Sequence, residues 1–139
     1  MWPLRILTVL MALYFLYAVA MQYNDPDPVP WMAIYGAAAL ACVLALVRRL
    51  WRWYAVGVAV VAAVWAATLA PEVIGHVAPR DLFAKAGMLT PRVEEAREML
   101  GLVIVMVWMA LLSVWGAPSG PPNPPLPSAA PRQSRGAPR

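Results

Sequence analysis

Four apolar runs, each close to the length a bilayer demands, constrain this 139-residue chain more than any other feature. A spanning helix needs ~20 mostly apolar residues at ~1.5 Å of rise each. The runs cover residues 3–22, 31–47, 53–70 and 99–115. Only Arg5 interrupts the first, Pro28 and Pro30 lead into the second, and a polar stretch from Pro91 leads into the fourth. In hydrocarbon, backbone N–H and C=O groups must be satisfied within the protein, which leaves helices and closed barrels as spanning structures. None of these runs alternates apolar and polar residues as barrel strands do. The expectation is an all-α fold: a four-helix transmembrane bundle occupying residues 1–116. Its helices run over about 3–22, 29–48, 53–70 and 91–115, the last including the polar lead-in.

Composition excludes the main alternatives. The chain is 62% apolar and 13% charged, against roughly 45–50% and ~25% in soluble domains. One Cys excludes a disulfide framework within the chain, and one His, His76, excludes a multi-histidine zinc site or a bis-histidine haem. No cofactor and no nucleic-acid partner is expected. After Gly116 the composition shifts to Pro, Gly, Ser, Ala and Arg, with eight prolines between Pro118 and Pro138. Such a segment buries too little apolar surface to order itself, so residues 117–139 are expected to form a solvated, disordered tail.

The second and third runs carry alanines every four residues: Ala33, Ala37, Ala41 and Ala45, then Ala55, Ala59, Ala63 and Ala67. Residues four apart share a helix face, and small faces let backbones approach closely in lipid. These ridges predict that the second and third helices pack as an antiparallel hairpin. General alanine richness is the plainer explanation of the same pattern.

Charge orients the bundle. An even number of spans puts Arg5, Arg48, Arg49, Arg52, Arg132, Arg135 and Arg139 on one side and Arg80, Lys85, Arg92 and Arg97 on the other. The positive-inside rule then makes both termini cytoplasmic. All seven carboxylates, Asp25, Asp27, Glu72, Asp81, Glu94, Glu95 and Glu98, fall on the opposite, outer side. Trp2, Trp51, Trp53 and Trp115 sit at the expected inner boundary and Trp31 at the outer one, the pattern of an aromatic belt, whereas Trp65 and Trp108 lie deeper as packing residues. Ala18-Val19-Ala20 resembles a signal-cleavage site, but the n-region has a single positive side chain and Tyr14, Phe15 and Tyr17 are bulky for a cleaved segment. The expected location is a membrane crossed several times, the cytoplasmic membrane of a bacterium.

Two outer elements carry the candidate chemistry. The first loop reads Gln22-Tyr23-Asn24-Asp25-Pro26-Asp27-Pro28. Each X-Pro pair drives the preceding residue out of the α region, and Asp27-Pro28 is an N-cap followed by a favoured first helical residue. A rigid turn is therefore the economical reading; the functional one is a stiff array of oxygen ligands at the membrane edge. The fourth helix opens Thr90-Pro91-Arg92-Val93-Glu94-Glu95-Ala96-Arg97-Glu98, where early carboxylates complement the helix dipole. Glu98, next to unbroken hydrocarbon, is less well explained that way. Glu94, Arg97, Glu98 and Gly101 share one face, and Arg97 is expected to pair with Asp25 or Asp27. The candidate cluster is thus Gln22, Asn24, Asp25, Asp27, Glu94, Arg97 and Glu98. Between these elements, Asp81 is expected to start a short surface helix over 81–88. Glu72 and His76, four apart, form a weaker ligand or proton-relay pair, and Cys42 reads as a small buried apolar residue.

Those same residues bear a resemblance. Gln22-Tyr23-Asn24-Asp25-Pro26-Asp27-Pro28, followed by Trp31 and Tyr35, resembles the signature of the transmembrane protein 220 family. Glu94-Glu95, Arg97-Glu98 and Gly101-Leu102 are similar to its second motif at the start of the last helix. The likeness extends over roughly residues 4–115 and leaves the Pro-rich tail outside. It implies a small multi-pass membrane protein that keeps its first helix, and it implies no chemistry.

Function is expected to be non-catalytic: an accessory or interaction protein with a stiff acidic cluster on its outer face. Besides the bilayer, its partner would be another membrane protein or a second copy of the chain. The alternative is a binder or carrier of a cation, a proton or a polar lipid headgroup at that cluster. An enzyme is not expected, since no nucleophile–base constellation and no Gly-rich phosphate loop stands out.

Overall fold

A computed structural model describes residues 2–78, 80 and 91–115. Four helices follow in order: α1 (Trp2–Met21), α2 (Pro28–Leu46), α3 (Arg52–Val73) and α4 (Pro91–Trp115), with a 3₁₀ turn at Gln22–Asn24 between α1 and α2. All four are long and apolar enough to cross a membrane. α4 starts at Pro91 and runs 25 residues without a break, about 37 Å at the usual rise. It exceeds the ~30 Å of a hydrocarbon core, so its polar first turns extend the bundle at one end. The Pro-rich tail, Thr90 and the expected helix over 81–88 lie outside the described residues.

α3 continues through Pro71 to Val73 rather than stopping at residue 70. A proline inside a helix removes one donor and crowds the preceding turn. Here it sits in the last turn, where Ile74 N–H still reaches the Ala70 carbonyl at 2.9 Å. Gly75, at φ +82°, then turns the chain in a conformation that favours glycine.

The bundle is two antiparallel hairpins. α1 packs chiefly on α2 and α3 chiefly on α4, while α2 touches α3 and α4 more sparsely. α1 buries a narrow stripe, Thr8, Ala12 and Phe15, at one-face spacing. α2 buries a broader surface that includes Trp31, Tyr35, Ala38, Ala41 and Cys42, since it has neighbours on several sides. Hydroxyls in the spans bond their own backbone: Thr8 Oγ1 donates to the Leu4 carbonyl at 2.7 Å and Ser113 Oγ to Ala110 at 2.7 Å.

The alanine ridges do not join α2 to α3 as their spacing predicts. The buried stripe of α3 is Ala55, Val58, Ala62, Ala66 and Val73, alternating steps of three and four. A strict four-residue repeat gains on the 3.6-residue turn by about 40° per step, so Ala67 has rotated out of the face that Ala55 starts. Between α2 and α3 the structure leaves an apolar groove of about 530 Å³, lined by Pro30, Ala33, Ala37, Tyr54, Gly57 and Val61 among others. Aromatic side chains bridge the two helices at both ends of it. Trp31 stacks on Trp65 with ring centroids 4.3 Å apart, and Tyr54 Oη donates to the Ala37 carbonyl at 3.0 Å. Trp31 is therefore a buried packing residue and not part of an interfacial belt. Trp2, Trp51, Trp53 and Trp115 are exposed, as belt residues are.

α2 and α4 meet through two specific contacts. Trp108 Nε1 donates to Cys42 Sγ at 3.1 Å, both groups buried. Tyr35 lies across α4 at Gly101, where an added Cβ would collide with Tyr35 Oη and stand 3.3 Å from Cζ. Glycine at 101 is what lets the ring sit there.

Candidate functional site

The loop after α1 is built by its prolines. Asp25 takes an extended conformation (φ −73°, ψ 145°) ahead of Pro26, and its N–H closes the 3₁₀ turn on the Gln22 carbonyl at 3.0 Å. Asp25 Oδ1 accepts the Asp27 N–H at 3.3 Å, a side-chain turn that ties the two acidic residues together. Asp27 occupies the N-cap position of α2 with Pro28 following, but its side chain makes no capping bond. Pro30, at the third helical position, lacks one of the two backbone donors that such a cap would serve.

This loop faces the start of α4. A cavity of about 620 Å³ opens at this end, lined by Gln22, Asp25, Pro26 and Asp27 from the loop and by Glu94, Arg97 and Glu98 from α4. Pro30, Trp31, Tyr35, Trp65 and Leu69, from α2 and α3, complete the wall. Asp25, Gln22, Arg97 and Glu98 are half-buried, and Asp27 and Glu94 are exposed at the rim. The Glu98 carboxylate feels the negative charges of Asp25, Glu94 and Glu95. Four carboxylates thus surround a space whose inner wall is aromatic and aliphatic. With Arg97 the one cation in the described lining, acidic groups predominate, and low-dielectric walls focus their field into the cleft.

Six of the seven residues singled out from sequence line this one cavity; Asn24, exposed at the end of the 3₁₀ turn, does not. Arg97 shares the cavity with Asp25 and Asp27. Glu95, on the same helix, is half-buried, and its Oε2 has no hydrogen-bond partner among the described residues. Glu72 closes α3 while His76 lies past Gly75, so the two do not share a continuous helical face, and both are exposed. Among the described residues, no three His, Cys, Asp or Glu side chains converge as a metal site would require.

The sequence motif includes Trp31 and Tyr35 but gives neither a place in the cavity, and it leaves out Trp65 and Leu69. Trp31 and Tyr35 are one turn apart on the face of α2 that follows the acidic loop, a spacing that could have flagged them. Trp65 and Leu69 have the same four-residue relation on α3, but nothing local aims them at the loop.

Four apolar helices capped by a polar cavity define a small multi-pass membrane protein. The family model described as Transmembrane family 220, helix, matches residues 14–114, and the chain belongs to that family. The match includes both polar motifs and leaves the Pro-rich tail outside. No solved structure matches the chain.

Proposed function

We propose that this protein is a non-catalytic membrane binding protein whose cavity holds a positively charged polar group, either a lipid headgroup or a small free cation. The observation that carries the reading is the meeting of two motifs remote in sequence, around Asp25 and around Glu98, on one cavity where Arg97 is the one basic side chain among the described residues. The carboxylates are spread around about 620 Å³ and do not converge on one point, which suits an organic cation better than a bare metal ion. Among the described residues the lining contains no Ser, Thr, Cys or His, so the nucleophiles and the imidazole base of most hydrolytic sites have no counterpart among them. By the excess of arginines at the opposite end, the cavity faces outward and both termini face the cytoplasm.

The test is native mass spectrometry of the full chain, gently extracted from its own membrane, beside an Asp25→Asn/Glu98→Gln variant. The expected result is a bound cationic or zwitterionic molecule on the wild type that is lost from the folded variant. Its mass separates a lipid from a free amine. A bare chain in both samples, or a ligand retained by the variant, overturns the reading. A stoichiometric protein subunit with no small ligand would replace it with an accessory role.

A further inference from the structure

The apolar groove between α2 and α3 adjoins the acidic cavity at the Trp31–Trp65 stack. Pro30 and Trp65 line both. From Trp65 the groove follows α3 down to Tyr54 and Trp53, twelve residues of helix. That is about 18 Å, more than half the thickness of a hydrocarbon core. Its walls are almost wholly apolar: Ala33, Ile34, Ala37, Gly57, Val58 and Val61 between the aromatic ends. Gly57 and Ala33 are exposed, and a Cβ added at Gly57 would meet nothing within 4 Å. A polar end and an apolar slot thus lie next to each other, with the slot running along α3.

We propose that groove and cavity together form one site for an ammonium-bearing amphiphile, with its hydrocarbon chain in the α2/α3 groove and its ammonium among Asp25, Asp27, Glu94 and Glu98. The inference rests on the reading of the cavity as a cation site and adds the occupant's second half. Any groove at this depth meets acyl chains, so the chain alone confers no selectivity. Selectivity comes from the head: four carboxylates against one arginine in the described lining leave an acidic excess that attracts an ammonium and repels a headgroup of net negative charge. A free small cation would leave the groove without a role.

The full-length protein is reconstituted in nanodiscs with equal amounts of phosphatidylethanolamine and phosphatidylglycerol of matched chains, and retained lipid is read by native mass spectrometry. Wild type is expected to retain the ethanolamine lipid over the glycerol lipid by about tenfold or more. Gly57→Leu, which fills the slot from α3, and Ala33→Leu, which fills it from α2, are each expected to lower total retention several-fold while what remains keeps its headgroup preference. Asp25→Asn/Glu98→Gln is expected to abolish the preference. Undiminished retention in both groove variants removes the groove from the site while leaving the cavity reading intact. Equal retention of the two lipids by wild type overturns the amphiphile proposal. A preference that survives the loss of both carboxylates overturns the cavity reading as well.

Discussion

α3 has two seams, and they are closed to different degrees. α4 is its chief partner: α3 buries Ala55, Ala62 and Ala66, and α4 carries Leu102, Val105, Met109 and Leu112, these four with almost no exposure. Toward α2 it presents Gly57 and Val61 to Ala33 and Ala37, and the helices stay apart around a groove. Both seams are rich in small residues. In the closed one α3 contributes small buried residues and α4 large ones, a combination that lets surfaces interdigitate. The open one sets small residues across from each other and has an aromatic contact at each end, Trp31 stacked on Trp65 and Tyr54 bonded to the Ala37 carbonyl. A small face permits close approach; whether the helices take it depends on what the partner helix offers.

The contrast can be broken most directly by adding bulk on each side of α3. Ala62, fully buried, has no room for a larger side chain. Ala62→Leu is expected to destabilise the fold by about 1–3 kcal/mol through overpacking. Gly57→Leu, on the open side, is expected to stay within about 0.5 kcal/mol of wild type, as a surface change does. Denaturation in mixed micelles by rising SDS fraction measures both. Equal losses would mean that the groove is not open in the folded protein.

The contact of α2 with α4 gives the next largest effect. Gly101→Ala drives a methyl group into Tyr35 and is expected to cost about 1–2 kcal/mol. On a Tyr35→Phe background the colliding oxygen is gone and most of that cost should vanish. Gly36→Ala, where an added Cβ meets nothing, serves as the control. A Gly101 cost that is the same on both backgrounds would show that the glycine serves something other than the tyrosine.

Trp108→Phe removes the buried N–H donor to Cys42 Sγ and is expected to cost about 1 kcal/mol beyond its change in packing. A double-mutant cycle with Cys42→Ala isolates the pair. A coupling energy near zero would reduce the contact to packing.

Most of the fold was legible because lipid leaves so few choices. A continuous apolar run can satisfy its backbone only as a helix, so four runs meant four spans. The acidic residues were legible for a related reason: charges such as Glu98, set against hydrocarbon, need an explanation that most apolar neighbours do not. The pairing of helices was not legible. Alanine every four residues marks a face that drifts around the helix, and the rule has no term for the partner's side chains. The aromatic wall and the groove depend on how α2 and α3 are rotated toward each other. That rotation is set by Trp31, Trp65 and Tyr54 acting at a distance in sequence.

The turn that ends α2 has a consequence for how the protein is made. Arg49 N–H bonds the Leu44 carbonyl at 2.8 Å and Arg48 N–H the Ala45 carbonyl at 3.1 Å, the paired bonds of a helix terminator whose left-handed position glycine usually fills. Here that position holds Arg48, at φ 57°. A side chain there costs roughly 1 kcal/mol, so Arg48→Gly is expected to raise stability by about 0.5–1 kcal/mol, the smallest of these effects, readable in the same SDS titration. On the orientation proposed above, the same substitution removes a cation from the short loop that holds α2 and α3 to the cytoplasmic side during insertion. On that orientation the finished bundle would gain what the nascent chain loses: the arginine would act during insertion, and the fold would carry its left-handed backbone afterwards.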